Sequence, residues 1–307
     1  MKRIFALILC AVMLFAMSAA FTSCDTADYT VGICQLMKHD ALDQATKGFI
    51  DALTAELEKE GKTVSIDEQV AGDTQYCPTV INTFTSKNVD LIMANATPAL
   101  SAAAAATKTI PILGTSVTDY LDTFGGNIPA NVSGTSDAVP FSEQAQMMID
   151  TLGLVKGDKV GVVYCSNESN SILQFNAVKE YFDTKEIVVT AYTFAETTEF
   201  QAVVTAAANE SKAIYVPSDN TVSQNESALA SICSAKKVPV FTSYGGSICY
   251  ASLAIDYYKL GYETGVMAAQ ILLGNKTIAE CEIKTLEPTV TYNKEICESL
   301  GITVPEE

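Results

Sequence analysis

Asp90-Leu91-Ile92-Met93-Ala94-Asn95-Ala96-Thr97-Pro98-Ala99-Leu100-Ser101, running on into the five alanines Ala102 to Ala106, reads as a buried strand that delivers a helix. The run Asp90 to Ala94 has the length of a strand covered on both faces, and Asn95 to Pro98 interrupts it with turn and start signals. The alanines that follow have the highest helix propensity in the chain; Thr97 can cap the first turn and Pro98 suits the first helical position. Such a turn presents amide groups with no partner inside the helix, at the positive end of its dipole, and these attract an anion.

One turn of this kind is ordinary connective structure, but the chain contains it twice. Lys212-Ala213-Ile214-Tyr215-Val216 followed by Pro217-Ser218-Asp219-Asn220-Thr221 is a second strand and turn, leading into a predicted helix over Val222 to Lys236. Its loop carries a carboxylate. Ile110-Pro111-Ile112-Leu113 after the first helix matches Val238-Pro239-Val240-Phe241 after the second, and Val31-Gly32-Ile33-Cys34 matches Val160-Gly161-Val162-Val163. The spacing between matched landmarks is nearly constant, which means two similar α/β halves rather than a short-period solenoid.

The length of 307 residues accommodates two such halves, each with its own core. Met1-Lys2-Arg3, the apolar run Ile4 to Met17 and the small residues after it form a secretory signal too short to span a bilayer. Phe21-Thr22-Ser23-Cys24 resembles the bacterial lipoprotein cleavage box, in which the cysteine becomes the lipidated N-terminus. Residues 1–23 are therefore expected to be removed, Cys24 to carry lipid such as palmitate, and residues 24–28 to form a tether at the membrane surface.

The formal charge is −17, and loss of Lys2 and Arg3 makes the mature chain more acidic still. Arg3 is the one arginine, and there is no tryptophan. A mature chain without arginine forks or a basic surface is poorly suited to nucleic acid or to clamping phosphate, so a bound anion falls to backbone amides, hydroxyls or lysine. Beyond Cys10 and Cys24 seven cysteines remain, scattered and without a Cys-x-x-Cys pair. With His39 the only imidazole, this indicates no zinc site and no disulfide framework. No Gly-x-Ser-x-Gly elbow and no Gly-x-Gly-x-x-Gly phosphate loop occurs, so an enzyme fits poorly and no cofactor is expected.

From Tyr29 the chain alternates strands and helices at a spacing that calls for parallel sheets covered on both faces. Gly61 ends the first helix, Val64 to Val70 is a strand, and Cys281 to Thr291 is expected as a single last strand. The polar loops after the strands include Gln35 to Asp40, Cys165 to Ser171 and Thr242 to Ser247. All fall outside the carboxyl ends of the strands, where open parallel sheets hold ligands.

Gly32-Ile33-Cys34-Gln35 with His39-Asp40-Ala41-Leu42-Asp43, Ala96-Thr97-Pro98-Ala99, Pro217-Ser218-Asp219-Asn220-Thr221-Val222 and Ala254-Ile255-Asp256-Tyr257-Tyr258 with Leu260-Gly261 together carry a wider likeness. From about Tyr29 to Leu300 the chain resembles a solute-binding lipoprotein of an ABC importer, of the tryptophan or aromatic amino-acid binding branch. It departs from that branch at Asp40, where proline is usual, and in the composition of Tyr244 to Tyr250. The resemblance implies an α/β type I periplasmic-binding-protein fold, with two doubly wound parallel-sheet lobes joined by three crossings. Residues 29–137 with about 257–283 would form the first lobe, and 138–256 with about 284–307 the second. It implies a monomer, lipid-anchored on the extracytoplasmic face of the membrane, that hands a small solute to an importer permease. By the same resemblance, Thr97 with its neighbouring amides and Ser116 would hold a carboxylate, and Asp219 an ammonium. Asp119, Asp137 and Asp256 compete for that last role. Gln35, His39 and Asn170 would contact the ligand from adjacent loops, and Tyr120, Tyr192 or Tyr244 would face a ring. An exported ligand sensor with a membrane partner, or a binder of a purine nucleoside or sugar, is the alternative.

Overall fold

Residues 27–304 are described by the computed structural model; the signal segment 1–23, Cys24 and the start of the tether lie outside the described residues. The first lobe runs β1 (Tyr29–Gln35), α1 (Asp40–Lys59), β2 (Val64–Val70), α2 (Cys77–Lys87), β3 (Leu91–Asn95), α3 (Thr97–Ala106), β4 (Ile112–Val117), the short α4 (Tyr120–Thr123) and β5 (Val132–Ser136). Both β3 and β4 are buried at every position, as strands between two helical layers must be. On α1, Leu42, Ala45, Phe49, Ala52, Leu53 and Leu57 turn one face inward.

The second lobe repeats the plan as α5 (Phe141–Leu152), β6 (Lys159–Cys165), α6 (Ser169–Thr184), β7 (Val188–Phe194), α7 (Phe200–Glu210), β8 (Ala213–Val216), α8 (Asn220–Gln224), α9 (Glu226–Lys236), β9 (Val240–Thr242) and β10 (Ala251–Ala254). The helix predicted over Val222 to Lys236 is thus two helices that begin at Asn220 and break at Asn225, whose backbone (φ −105°, ψ 18°) leaves the helical region. The chain then returns to the first lobe with α10 (Tyr257–Leu272) and β11 (Lys284–Thr285), and ends in the second with β12 (Thr289–Tyr292) and α11 (Lys294–Leu300).

The sheet orders are β11-β5-β4-β3-β1-β2 and β12-β10-β9-β8-β6-β7, so five consecutive positions of one match five of the other. All pairings are parallel except β10 with β12. The stretch Cys281 to Thr291, expected as one strand, is two short strands in different sheets. Pro288, which has no N–H for a ladder, stands between them. The last passage between lobes therefore follows Thr285, and it joins the passages at 136–141 and 254–257 along one side of the molecule.

Helix α10 completes the first lobe by backing onto α1 at backbone distance. A Cβ on Gly261 would lie 1.8 Å from the Ala45 carbonyl oxygen, and one on Gly48 would lie 2.1 Å from that of Tyr258. No helix among the described residues is long and apolar enough to cross a membrane.

Candidate functional site

At the carboxyl end of β3 the chain turns through Ala96 at φ 92°, and at the end of β4 through Ser116 at φ 55°. Conformations of this kind are disfavoured for residues with a Cβ, at about 1–3 kcal/mol each, and they persist where surrounding structure holds them. Ala96 occupies the N-cap position of α3, so Thr97 is the first helical residue instead of the expected cap. With no side chain capping that helix end, the Thr97 hydroxyl is left buried and without a hydrogen-bond partner in the protein, as is the Ser116 hydroxyl. Beyond β5, Asp137 is 5% exposed and accepts from Thr118 Oγ1 (3.1 Å) and the Tyr257 hydroxyl (2.8 Å). No lysine pairs with it among the described residues, and burial pushes its carboxyl above the usual range.

The facing lobe presents a second buried acid. Asp219 is 0% exposed; its Oδ2 accepts from the Cys165 amide (2.7 Å) and Ser171 Oγ (2.8 Å), and its Oδ1 from the Val222 amide (2.8 Å) as the cap of α8. Burial first, then the charge of Glu168, push its carboxyl well above the usual range. Glu168, 1% exposed, accepts from the amides and side chains of both Asn220 and Thr221. Asn170 donates to the Ser218 carbonyl (2.7 Å) while its own Oδ1 is buried without a partner.

The lobes are closed on each other. His39 Nε2 meets Asn220 Oδ1 at 3.2 Å, and Gln174 Nε2 reaches Thr118 Oγ1 at 3.3 Å. Between the lobes a narrow inner space of about 10 Å³ is lined by Ser116, Asp137, Ser218 and Asp219 among others. An outer cavity of about 320 Å³ lies against it, and the two share His39, Ala41, Ser223, Tyr244 and Tyr257. Tyr244 is 8% exposed and its hydroxyl has no partner.

Of the residues expected from sequence, His39, Ser116, Asp219 and Tyr244 therefore meet around one interlobe space. Thr97 and Asn170 contribute buried unpartnered oxygens but line neither cavity. Asp256 lines the outer cavity, exposed, capping α10 and pairing with Lys259 at 3.5 Å. Asp119 is exposed, caps α4 through the Asp122 amide (2.9 Å) and lines neither cavity. Gln35 is buried, held by Met37, Asp43 and Thr46, and props α1 from behind. Tyr120 points into the core, donating to the Thr135 carbonyl, and Tyr192 reaches Glu210 on the outer face. Sequence reasoning passed over Glu168, Glu226 and Tyr257. The signal for Glu168 was its place as the single charge in the loop Ser166 to Ser171.

The family model for ABC transporter substrate binding proteins matches residues 30–307. A tyrosine-binding protein of Clostridioides difficile (strain R20291) is 33% identical over 285 residues, spanning 89% of this chain and 81% of the relative. A Streptococcus pneumoniae ABC domain solved in complex with L-Trp superposes with a TM-score of 0.83 at 30% identity, over 91% of this chain and 96% of that one. A substrate binding protein with adhesive properties from Clostridium difficile, in its ligand-free open form, gives 0.66 at 32% identity, over 90% and 96%.

Proposed function

We propose that this chain, which belongs to the family of ABC transporter substrate binding proteins, captures an aromatic amino acid between its lobes and delivers it to an importer permease. Members of the family work outside the cytoplasm and are not enzymes. The observation that carries the ligand reading is a division of labour between hydroxyls left without an acceptor and acids left without a cation. On the β3 and β4 side stand an uncapped helix start and two buried hydroxyls without partners, Thr97 and Ser116. Facing the inner cavity stand two buried carboxylates without a cation, Asp137 and Asp219.

An α-amino acid supplies both missing groups. Its carboxylate would receive the hydroxyls and the first amides of α3, and its ammonium would settle against Asp219 and Asp137. Its ring would then enter the outer cavity beside His39, Tyr244 and Tyr257. The first lobe would hold the carboxylate, and the ammonium would bridge Asp137 of that lobe and Asp219 of the other, so occupancy favours the closed form. Relatives whose names or complexes specify tyrosine and L-Trp support a ring-bearing side chain. We further propose a monomer tethered to the extracytoplasmic face of the membrane by lipid on Cys24.

A thermal-shift screen followed by calorimetry tests the reading. Tryptophan or tyrosine should raise the melting temperature, whereas tryptamine, which lacks the carboxylate, should bind far more weakly. Equal affinity for tryptamine and tryptophan would discard the carboxylate site. A shift with nucleosides or sugars alone would discard the amino acid.

A further inference from the structure

Glu226 opens α9 immediately after the break at Asn225, and its side chain lines the outer cavity together with Tyr244, Tyr257 and Gly246. Its Oε1 is buried and has no hydrogen-bond partner, and no lysine forms an ion pair with it among the described residues. The neighbouring Tyr244 hydroxyl is equally without a partner, although Tyr244 is more than nine-tenths buried. The two groups are close enough that the Glu226 charge adds to burial in pushing the Tyr244 phenol up. Gly246 leaves room beside them, since a Cβ there would come within 2.6 Å of Glu226 Oε1. The amides of Ser247 and Ile248 hydrogen-bond the same carboxylate, so Oε1 is the one oxygen of the acid left without a partner. A buried acceptor that no protein donor satisfies is costly unless a ligand supplies the donor.

We propose, building on the aromatic amino-acid reading, that Glu226 sets the specificity of this site by accepting a hydrogen bond from the ligand's ring. The class favoured is then aromatic amino acids whose ring carries a donor, a phenol hydroxyl or an indole N–H, over phenylalanine. A pocket built to bond such a donor discriminates strongly against the analogue that lacks it, because the protein group is then left buried and unpaired.

Calorimetric titration of the wild type, Glu226→Gln and Glu226→Leu with tyrosine, tryptophan and phenylalanine decides the matter, with melting curves confirming that each variant folds. The wild type should bind tyrosine or tryptophan at least about ten-fold tighter than phenylalanine. Glu226→Leu should collapse that ratio to within about three-fold while leaving phenylalanine affinity unchanged or improved. Glu226→Gln retains an acceptor and should fall between them, so it keeps the test valid should the leucine variant misfold. Phenylalanine binding the wild type as well as both others, or a ratio that survives in Glu226→Leu, overturns the assignment. Binding of none of the three overturns the amino-acid reading, and this assignment with it.

Discussion

Across the interlobe cleft, His39 Nε2 and Asn220 Oδ1 stand 3.2 Å apart, and the direction of that bond is set from behind. Asn220 Nδ2 donates to Glu168 Oε2 at 2.7 Å, so the amide oxygen of Asn220 must face His39. His39 therefore donates from Nε2, and in the neutral ring Nδ1 carries the lone pair. A buried acid of one lobe thereby orients the imidazole of the other.

Closure keeps this imidazole in its neutral form. Burial lowers the pKa of His39 from 6.5 and outweighs the bond to Asn220 and the charges of Glu168, Asp43 and Asp40, all of which raise it; Glu226 and Asp256 also line the space it enters. A base with a lowered pKa holds fewer protons in the closed form, so closure gains as pH rises through the histidine range and loses as pH falls below 6.5. Ligand affinity should fall between about pH 7.5 and about pH 5.5, and the fall should be shallower in His39→Gln. Calorimetry across this range, with the lone histidine followed by NMR, checks both.

Asp219 holds three buried donors at once, the Cys165 and Val222 amides and Ser171 Oγ. Asp219→Ala should therefore cost stability as well as affinity, about 2–4 kcal/mol of unfolding free energy. Ser171→Ala, which removes one donor and leaves the acid in place, should cost about 1 kcal/mol. Denaturant titration of both variants reads the difference.

Thr97 gives the opposite pattern. Its hydroxyl has no partner within the protein, so Thr97→Val should leave the unfolding free energy unchanged within about 0.5 kcal/mol. Affinity for an amino acid should nonetheless weaken by about ten-fold, roughly 1.4 kcal/mol, through loss of a bond to a charged group. A melting curve and a titration on the same sample separate the two effects.

Where α10 backs onto α1, Gly261 admits no side chain, because a Cβ would sit 1.8 Å from the Ala45 carbonyl oxygen. Gly261→Val should force the helices apart and destabilise the chain by about 1–3 kcal/mol or more. Urea unfolding should show this as a lower midpoint.

Legibility from sequence differed sharply between the strands and the site. β3 and β8 were plain as short apolar runs before polar turns, because strands covered on both faces need apolar side chains at every position. Thr97 was readable as a helix start, but its role reversed once Ala96 at φ 92° took the capping position, a conformation no local pattern announces. Tyr120 and Tyr244 both follow strand ends. Only packing sends one into the core beneath Gly114 and Gly134 and the other into the cleft.

By itself the sequence determined the duplicated α/β plan, the placing of polar loops at the carboxyl ends of the strands, and an acidic chain whose only arginine is Arg3. These follow from periodicity, propensity and composition, which act over a few residues or over the whole chain. Tertiary structure alone decided which oxygens are left without partners, that Glu168 steers His39 through Asn220, and that Asp219 is locked by three donors. Each is a relation between atoms from distant parts of the chain, governed by distance and burial, and neither quantity exists until both lobes have folded and met.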